Sequence, residues 1–215
     1  MTSKMEKMPY EGQLRVQAGS IPFDWHFGLP TIRGEHVTLR EVRTSDAAAL
    51  LAMLTTEEVA EFVSPLPRSV EGFEDFISEA HHERTRGNSF CFGIVPDGYD
   101  DAMGLFQVRQ LDAGFGSAEW GFAIGSPFWG RGVFIEGAKA VIDFSFGVVG
   151  VHRLEARSIA SNGRGNAALR KVGALQEGIL RRSFQRNGRY FDQILWSILK
   201  EDWRQAKAVW GTKFH

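Results

Sequence analysis

Residues 126–134 read SPFWGRGVF and follow directly on AEWGFAIG at 118–125. An alternating, strand-like run gives way here to a helix-like one, and Gly130 and Gly132 flank an arginine at the junction. Glycine costs a helix about 1 kcal/mol relative to alanine, so a pair at a helix start needs a reason. One reason is a flexible turn that reverses the chain. The other is an anion cradle, since the first N–H groups of a helix have no partner within it and its dipole favours negative charge.

The remaining composition narrows the function. The chain has 215 residues, 43% of them hydrophobic, enough for one domain with a terminal extension. Its 25 basic and 26 acidic residues nearly cancel, which removes the footprint of a general nucleic-acid binder. No apolar run reaches membrane-spanning length, and the polar start MTSKMEKM does not read as a secretory signal. A cytoplasmic protein with no nucleic-acid or membrane partner is expected. Cys91 is the only cysteine, so an internal disulfide or multi-cysteine metal site is excluded; within FCFGIV it reads as a small core residue. His81 and His82 lie side by side on a polar helix without a third ligand, so no metal is expected.

Along the chain, residues 1–30 show no period and read as an arm held to the domain by Phe23, Trp25 and Phe27. The domain proper is expected over 31–205, with a tail at 206–215. HVTLREV alternates as a strand, and Thr44, Ser45 and Asp46 offer caps for AAALLAML. Ser69 can cap a second helix carrying Phe73, Phe76, Ile77 and Ala80 at helical spacing. Three strands follow, SFCFGIV, AMGLFQVRQ and FGSAEWGFAIG, separated by turn signals. After the glycine loop comes a helix with Phe134, Ala138, Val141, Ile142 and Ser145 on one stripe. The strand HRLEARSI then places Leu154, Ala156 and Ser158 on one face. Asn162 or Asn166 starts a helix that Gly173 stops, and a hairpin closes the chain around Asn187-Gly188. The order β-α-α-β-β-β-α-β-α-β-β makes a mixed α/β domain.

A dinucleotide-binding G-x-G-x-x-G would need glycine where Ile135 stands, and no Gly-Lys-Ser/Thr of a P-loop occurs. Four segments together instead resemble the GNAT superfamily of acetyl-CoA-dependent N-acetyltransferases. They are LPTIRGEHVTLREV, EWGFAIGSPFWGRGVFIEG, NGRGNAALRKVGALQEGILR and NGRYFDQILWSILKEDW. The branch they resemble most is the Rim type, named for enzymes that acetylate ribosomal-protein N-termini, and the likeness covers residues 31–203. It implies a mostly antiparallel sheet, splayed in the middle, with helices on both faces.

The family's loop reads Q/R-x-x-G-x-G/A; here Pro127 takes the first place and Gly130 and Gly132 match. The resemblance implies that Trp129, Gly130, Arg131, Gly132 and Val133 hold the pyrophosphate of acetyl-CoA, the cosubstrate. It places the pantetheine arm on the backbone of Phe122, Ala123 and Ile124 and on Asn162, whose other reading is a plain helix cap. Arg131, Arg164 and Arg170 are candidates for the remaining phosphate. The reaction implied is direct attack of a primary amine, on a small molecule or a peptide N-terminus, in a ternary complex. Glu119, beside Trp120 and Phe122, is the expected general base because partial desolvation would raise its pKa; a surface carboxylate at a strand end is the other reading. Where the Rim-type pattern N-x-x-S carries a serine this chain has Gly165, so Ser161 and Tyr190 are the candidate acids. Some relatives also carry a glutamate where Phe184 stands. The arginines at 181, 182, 186 and 189 could steer an acidic acceptor or simply be solvated. A homodimer is among the assemblies expected. The alternative from another class is a non-catalytic acyl-CoA-binding module on the same fold.

Overall fold

The strands and helices run β1 (Ile32–Arg33), β2 (Val37–Glu41), α1 (Ala47–Leu54), α2 (Glu57–Ala60), α3 (Val70–Thr85), β3 (Ser89–Pro96), β4 (Gly104–Gln110) and β5 (Ser117–Ile124). The second half continues α4 (Val133–Phe144), β6 (Arg153–Ile159), α5 (Gly163–Lys171), β7 (Leu175–Arg186), β8 (Arg189–Leu199) and α6 (Lys200–Thr212). This computed structural model describes residues 23–63 and 65–212. The eight strands form one sheet in the order β1-β2-β3-β4-β5-β6-β8-β7, antiparallel at every pairing except β5 with β6. Three elements lie beyond the sequence reading. β1 has two residues and α2 four, too short to show a period, and α6 runs through the expected domain end at 205.

Alternation on the central strands builds two cores. Every residue of β3 is buried. Phe90, Phe92 and Ile94 face α4, α5 and α6, whereas Cys91 and Val95 face α1, α2 and α3. Helices therefore cover both faces, as the resemblance implies. Burial pushes the Cys91 thiol up to about 12, with the Glu41 charge adding to it, so this sulfur is an inert core group. Phe144 of α4 meets Phe90 and Phe92 edge-on, each at 5.2 Å between ring centroids. Gly137 lets α4 sit close to the sheet: a Cβ there would lie 2.7 Å from the Phe106 ring.

Two caps show local and tertiary partners competing. Ser69 Oγ accepts from the Gly72 N–H at 3.1 Å, the cap the sequence offers for α3. Asp46 stands at the cap position of α1 but makes no cap bond. It is fully buried and accepts from Arg40 at 2.7 and 2.8 Å and from the N–H groups of Arg43 and Ala102. Burial alone would raise its pKa; Arg40 and the two N–H groups outweigh that and hold it below the usual value. Of the arm's three rings, Trp25 is buried between Phe90 and Phe115, while Phe23 and Phe27 are exposed. Arg84 donates to the carbonyls of Trp25 and His26, which fastens this segment to α3. Residues 1–22 of the expected arm lie outside the described residues.

The closing hairpin turns at Asn187-Gly188, with φ of 47° and 73° as a two-residue type I′ turn requires. A register shift between Leu180 and Phe184 accompanies the left-handed Arg182, whose N–H donates to Asp192. Nearer its base, Arg153 of β6 binds Glu177 of β7, which also accepts from Ser197 Oγ at 2.7 Å. These bonds hold Glu177 at about 2, below its ordinary 4.5. A depressed carboxylate stabilises the fold above its unfolded pKa, and that contribution disappears as pH falls through the folded one. Acid denaturation between about pH 4.5 and 2 should therefore flatten in Glu177→Gln, by a margin that solvent screening keeps small for this partly exposed pair. An unchanged slope of stability against pH over that window would refute the assignment.

Candidate functional site

β5 and β6 pair only at Ser117↔Arg153, Ala118↔Leu154 and Glu119↔Glu155. Beyond Glu119, β5 continues alongside β4 to Ile124, while β6 follows β8 to Ile159. The two strands thus diverge, and the β5 backbone from Trp120 onward faces a gap instead of a partner. That gap opens into a cavity of about 750 Å3 walled by Phe122, Ala123 and Ile124, by the glycine loop, and by α2 and α5. An extended chain can pair with such an edge as an added strand.

The loop leaves room for an anion. Gly130 and Gly132 have φ of 75° and 84°, a region costly for residues with a Cβ, and Gly132 is the residue from which α4 starts. No atom would lie within 4 Å of a Cβ at Gly130, and at Gly132 only the His36 ring would, at 3.5 Å. The glycines are thus required by backbone conformation, with open space above them at a helix N-terminus. Glu136, the acid of the first turn of α4, accepts from the N–H groups of Glu35 and His36 and so ties the helix to the β1–β2 turn. Trp129 donates its indole N–H to the Ile124 carbonyl at 2.8 Å, which fixes the loop against the strand end. Arg164 lies over the same ring at 4.2 Å and lines the cavity. Arg131 is exposed, and the Arg170 guanidinium lies over Trp196 at 5.5 Å; neither is part of the wall.

A second cavity of about 300 Å3 shares Phe62, Val63, Phe122, Ala123, Asn162 and Gly165 with the first. Glu119 lines it, with its side chain 18% exposed. Instead of a purely apolar surround, this carboxylate has two guanidiniums: Arg109 donates to Oε2, and Arg157 meets the same oxygen at 2.9 Å. Asn162 Oδ1 accepts from the Gly165 N–H at 2.8 Å, so this residue caps α5 while lining both cavities. Phe184 adds an apolar wall. Arg186, beyond the bulge, donates to the carbonyls of Ala60 and Val63 and clasps the hairpin to the segment after α2. The hydroxyl candidates Ser161 and Tyr190 are exposed and outside both linings. His81 Nε2 donates to the Val42 carbonyl at 2.8 Å. Among the described residues no helix is long and apolar enough to cross a membrane.

A splayed parallel pair, a left-handed glycine loop and a helix start on one cavity form the arrangement the resemblance implies. The model of the acetyltransferase (GNAT) domain matches residues 36–175. The chain is a GNAT acetyltransferase. The Bacillus licheniformis protein named "Uncharacterized N-acetyltransferase p20" is 27% identical over 176 residues, spanning 81% of this chain and 99% of that protein. Among solved structures, Mycobacterium smegmatis RimJ in complex with CoA-disulfide superposes with a TM-score of 0.69 at 26% identity, covering 77% of this chain and 83% of RimJ. The ribosomal-protein-S5-alanine acetyltransferase from Vibrio fischeri shares the fold, with a TM-score of 0.73 at 22% identity over 81% of this chain and 99% of that one. These neighbours agree with the Rim-type likeness of the motifs.

For this GNAT acetyltransferase the sequence reading missed Arg109, Arg157 and Ser158, all in the second cavity. Arg109 and Arg157 carry no spacing signal, because they meet Glu119 across β4, β5 and β6. Ser158 did leave one: it is the polar member of the otherwise apolar face Leu154, Ala156, Ser158.

Proposed function

We propose that the chain transfers acetyl from acetyl-CoA to a primary amine carried on a neutral or anionic body, such as a peptide N-terminus, by direct attack in a ternary complex. The observation that carries this is the divergence of β5 from β6, which leads from the glycine loop of one cavity to Glu119 in the next. The loop N–H groups of residues 130–133 suit a diphosphate. The free edge at Phe122 and Ala123 suits the pantetheine arm and offers an N–H for the developing oxyanion. Asn162, already capping α5 through Oδ1, retains its amide N–H groups for the same arm. Glu119 takes the proton that the ammonium must lose, through a water.

The acceptor follows from charge. Two guanidiniums, Arg109 and Arg157, and one carboxylate, Glu119, line the second cavity, and Glu155, outside the lining, also pairs with Arg157 at 3.5 Å. A polyamine would bring further ammonium groups against Arg109 and Arg157, whereas a peptide N-terminus brings carbonyls that they can bind. A net charge of -1 fits the same reading. Thiol release from acetyl-CoA with a panel of peptides, small amines and polyamines tests it. Peptide amines should exceed spermidine in kcat/KM by at least about 10-fold, the effect of one unfavourable charge contact. Equal turnover of spermidine would refute the acceptor class. Coenzyme A binding without thiol release from any amine would favour the non-catalytic module instead.

A further inference from the structure

Ser158 ends up where a hydroxyl has no structural use. It lies near the end of β6, three positions past the last β5 pairing, and is 8% exposed. Its Oγ is buried without a hydrogen-bond partner. The other such hydroxyl among the described residues, Thr56 Oγ1, lies outside both cavities. Ser158 lines the second cavity together with Glu119, Asn162 and Gly165. An unsatisfied buried hydroxyl opposes folding, and alanine would fill the position at lower cost.

The opposite wall cannot supply this group. Gly165 has no side chain, and a Cβ added there would lie 2.5 Å from Asn162 Nδ2, so the capping conformation of Asn162 occupies the space of a serine. Ser161 and Tyr190 point to no cavity wall, being exposed and outside both linings.

We propose that Ser158 is a catalytic residue whose O–H donates a hydrogen bond to the thioester sulfur as it leaves; this rests on the acetyl-transfer reading above. The amine nitrogen forms its bond to the acetyl carbon with its own electron pair. The carbon–sulfur bond breaks, and its pair stays on sulfur, where the Ser158 hydroxyl meets the growing negative charge. The proton shed by the nitrogen, passed through Glu119 and water, ends on that sulfur and completes the thiol. Nothing is oxidised or reduced, and Ser158 keeps its own proton.

The test compares wild type, Ser158→Ala and Ser158→Thr in thiol release, in coenzyme A binding by calorimetry and in Tm. Ser158→Ala should lower kcat by about 10-fold or more, the effect of one lost donor at a developing charge. Its coenzyme A affinity should stay within about twofold, and its Tm should hold or rise, since the unsatisfied group is gone. Ser158→Thr, which keeps the hydroxyl, should recover most of the rate. A Ser158→Ala kcat within about twofold of wild type overturns the assignment, as does a loss of rate accompanied by an equal loss of affinity or by a fall in Tm. Absence of thiol release by the wild-type protein overturns the acetyl-transfer reading itself, which separates the two failures.

Discussion

Gly132→Val is expected to weaken coenzyme A binding by about 100-fold or more while the domain stays folded. The backbone at 132 has φ of 84°, and a β-branched side chain is strained there. The loop must then turn its N–H groups away from the position they hold at the start of α4. Hydrogen bonds to a charged group contribute about 1.5–3 kcal/mol each, so losing two of them accounts for at least two orders of magnitude. The fold should survive, because Gly132 is exposed and a Cβ there would meet only the His36 ring. Calorimetry reads the affinity and thermal melting the fold. Unchanged binding in a variant that melts like the wild type would remove the loop from the cofactor site.

Glu119→Gln is expected to cut turnover by about 100-fold, the usual scale for a lost general base. The substitution keeps the size and polarity of a group that is 18% exposed, so packing should change little. Its electrostatic effect goes further than the loss of a proton acceptor. Arg109 and Arg157 both meet Glu119 Oε2, and without the carboxylate Arg109 loses that partner at the second cavity while Arg157 keeps Glu155, 3.5 Å away. An incoming ammonium is then repelled, so KM for the amine should rise as kcat falls. Coenzyme A affinity, measured separately, should barely move. Near wild-type kcat with unchanged amine KM would reduce Glu119 to the anchor of two arginines and send the search for a base elsewhere.

The path to these residues from sequence was uneven, and the reasons are physical. The glycine loop was legible because left-handed backbone conformations restrict residue choice, and Gly130 and Gly132 carry that restriction openly. The hairpin was legible for the same reason at Asn187-Gly188. Ser69 behaved as a local cap because its partner is three residues away, whereas Asp46 found Arg40 and Ala102, which no local pattern announces. The environment of Glu119 was opaque on the same ground. Its flanking residues Trp120 and Phe122 suggested an apolar setting, yet alternate residues of a strand point to opposite faces. The charges that reach Glu119 come from neighbouring strands.

Only three strand-paired positions join β5 to β6, so the continuous sheet consists of two panels with a short seam. Each panel has its own ladder of antiparallel bonds, and the seam gives way just where the ligand would lie. A pantetheine arm in that gap would act as missing stitching, tying the panels into one cooperative unit. The empty protein should therefore open along the seam at lower free energy than it unfolds globally, with early amide exchange in the 120–124 stretch. Occupancy should slow that exchange and raise cooperativity as well as Tm. In this sense a bound pantetheine arm would also be a piece of the architecture.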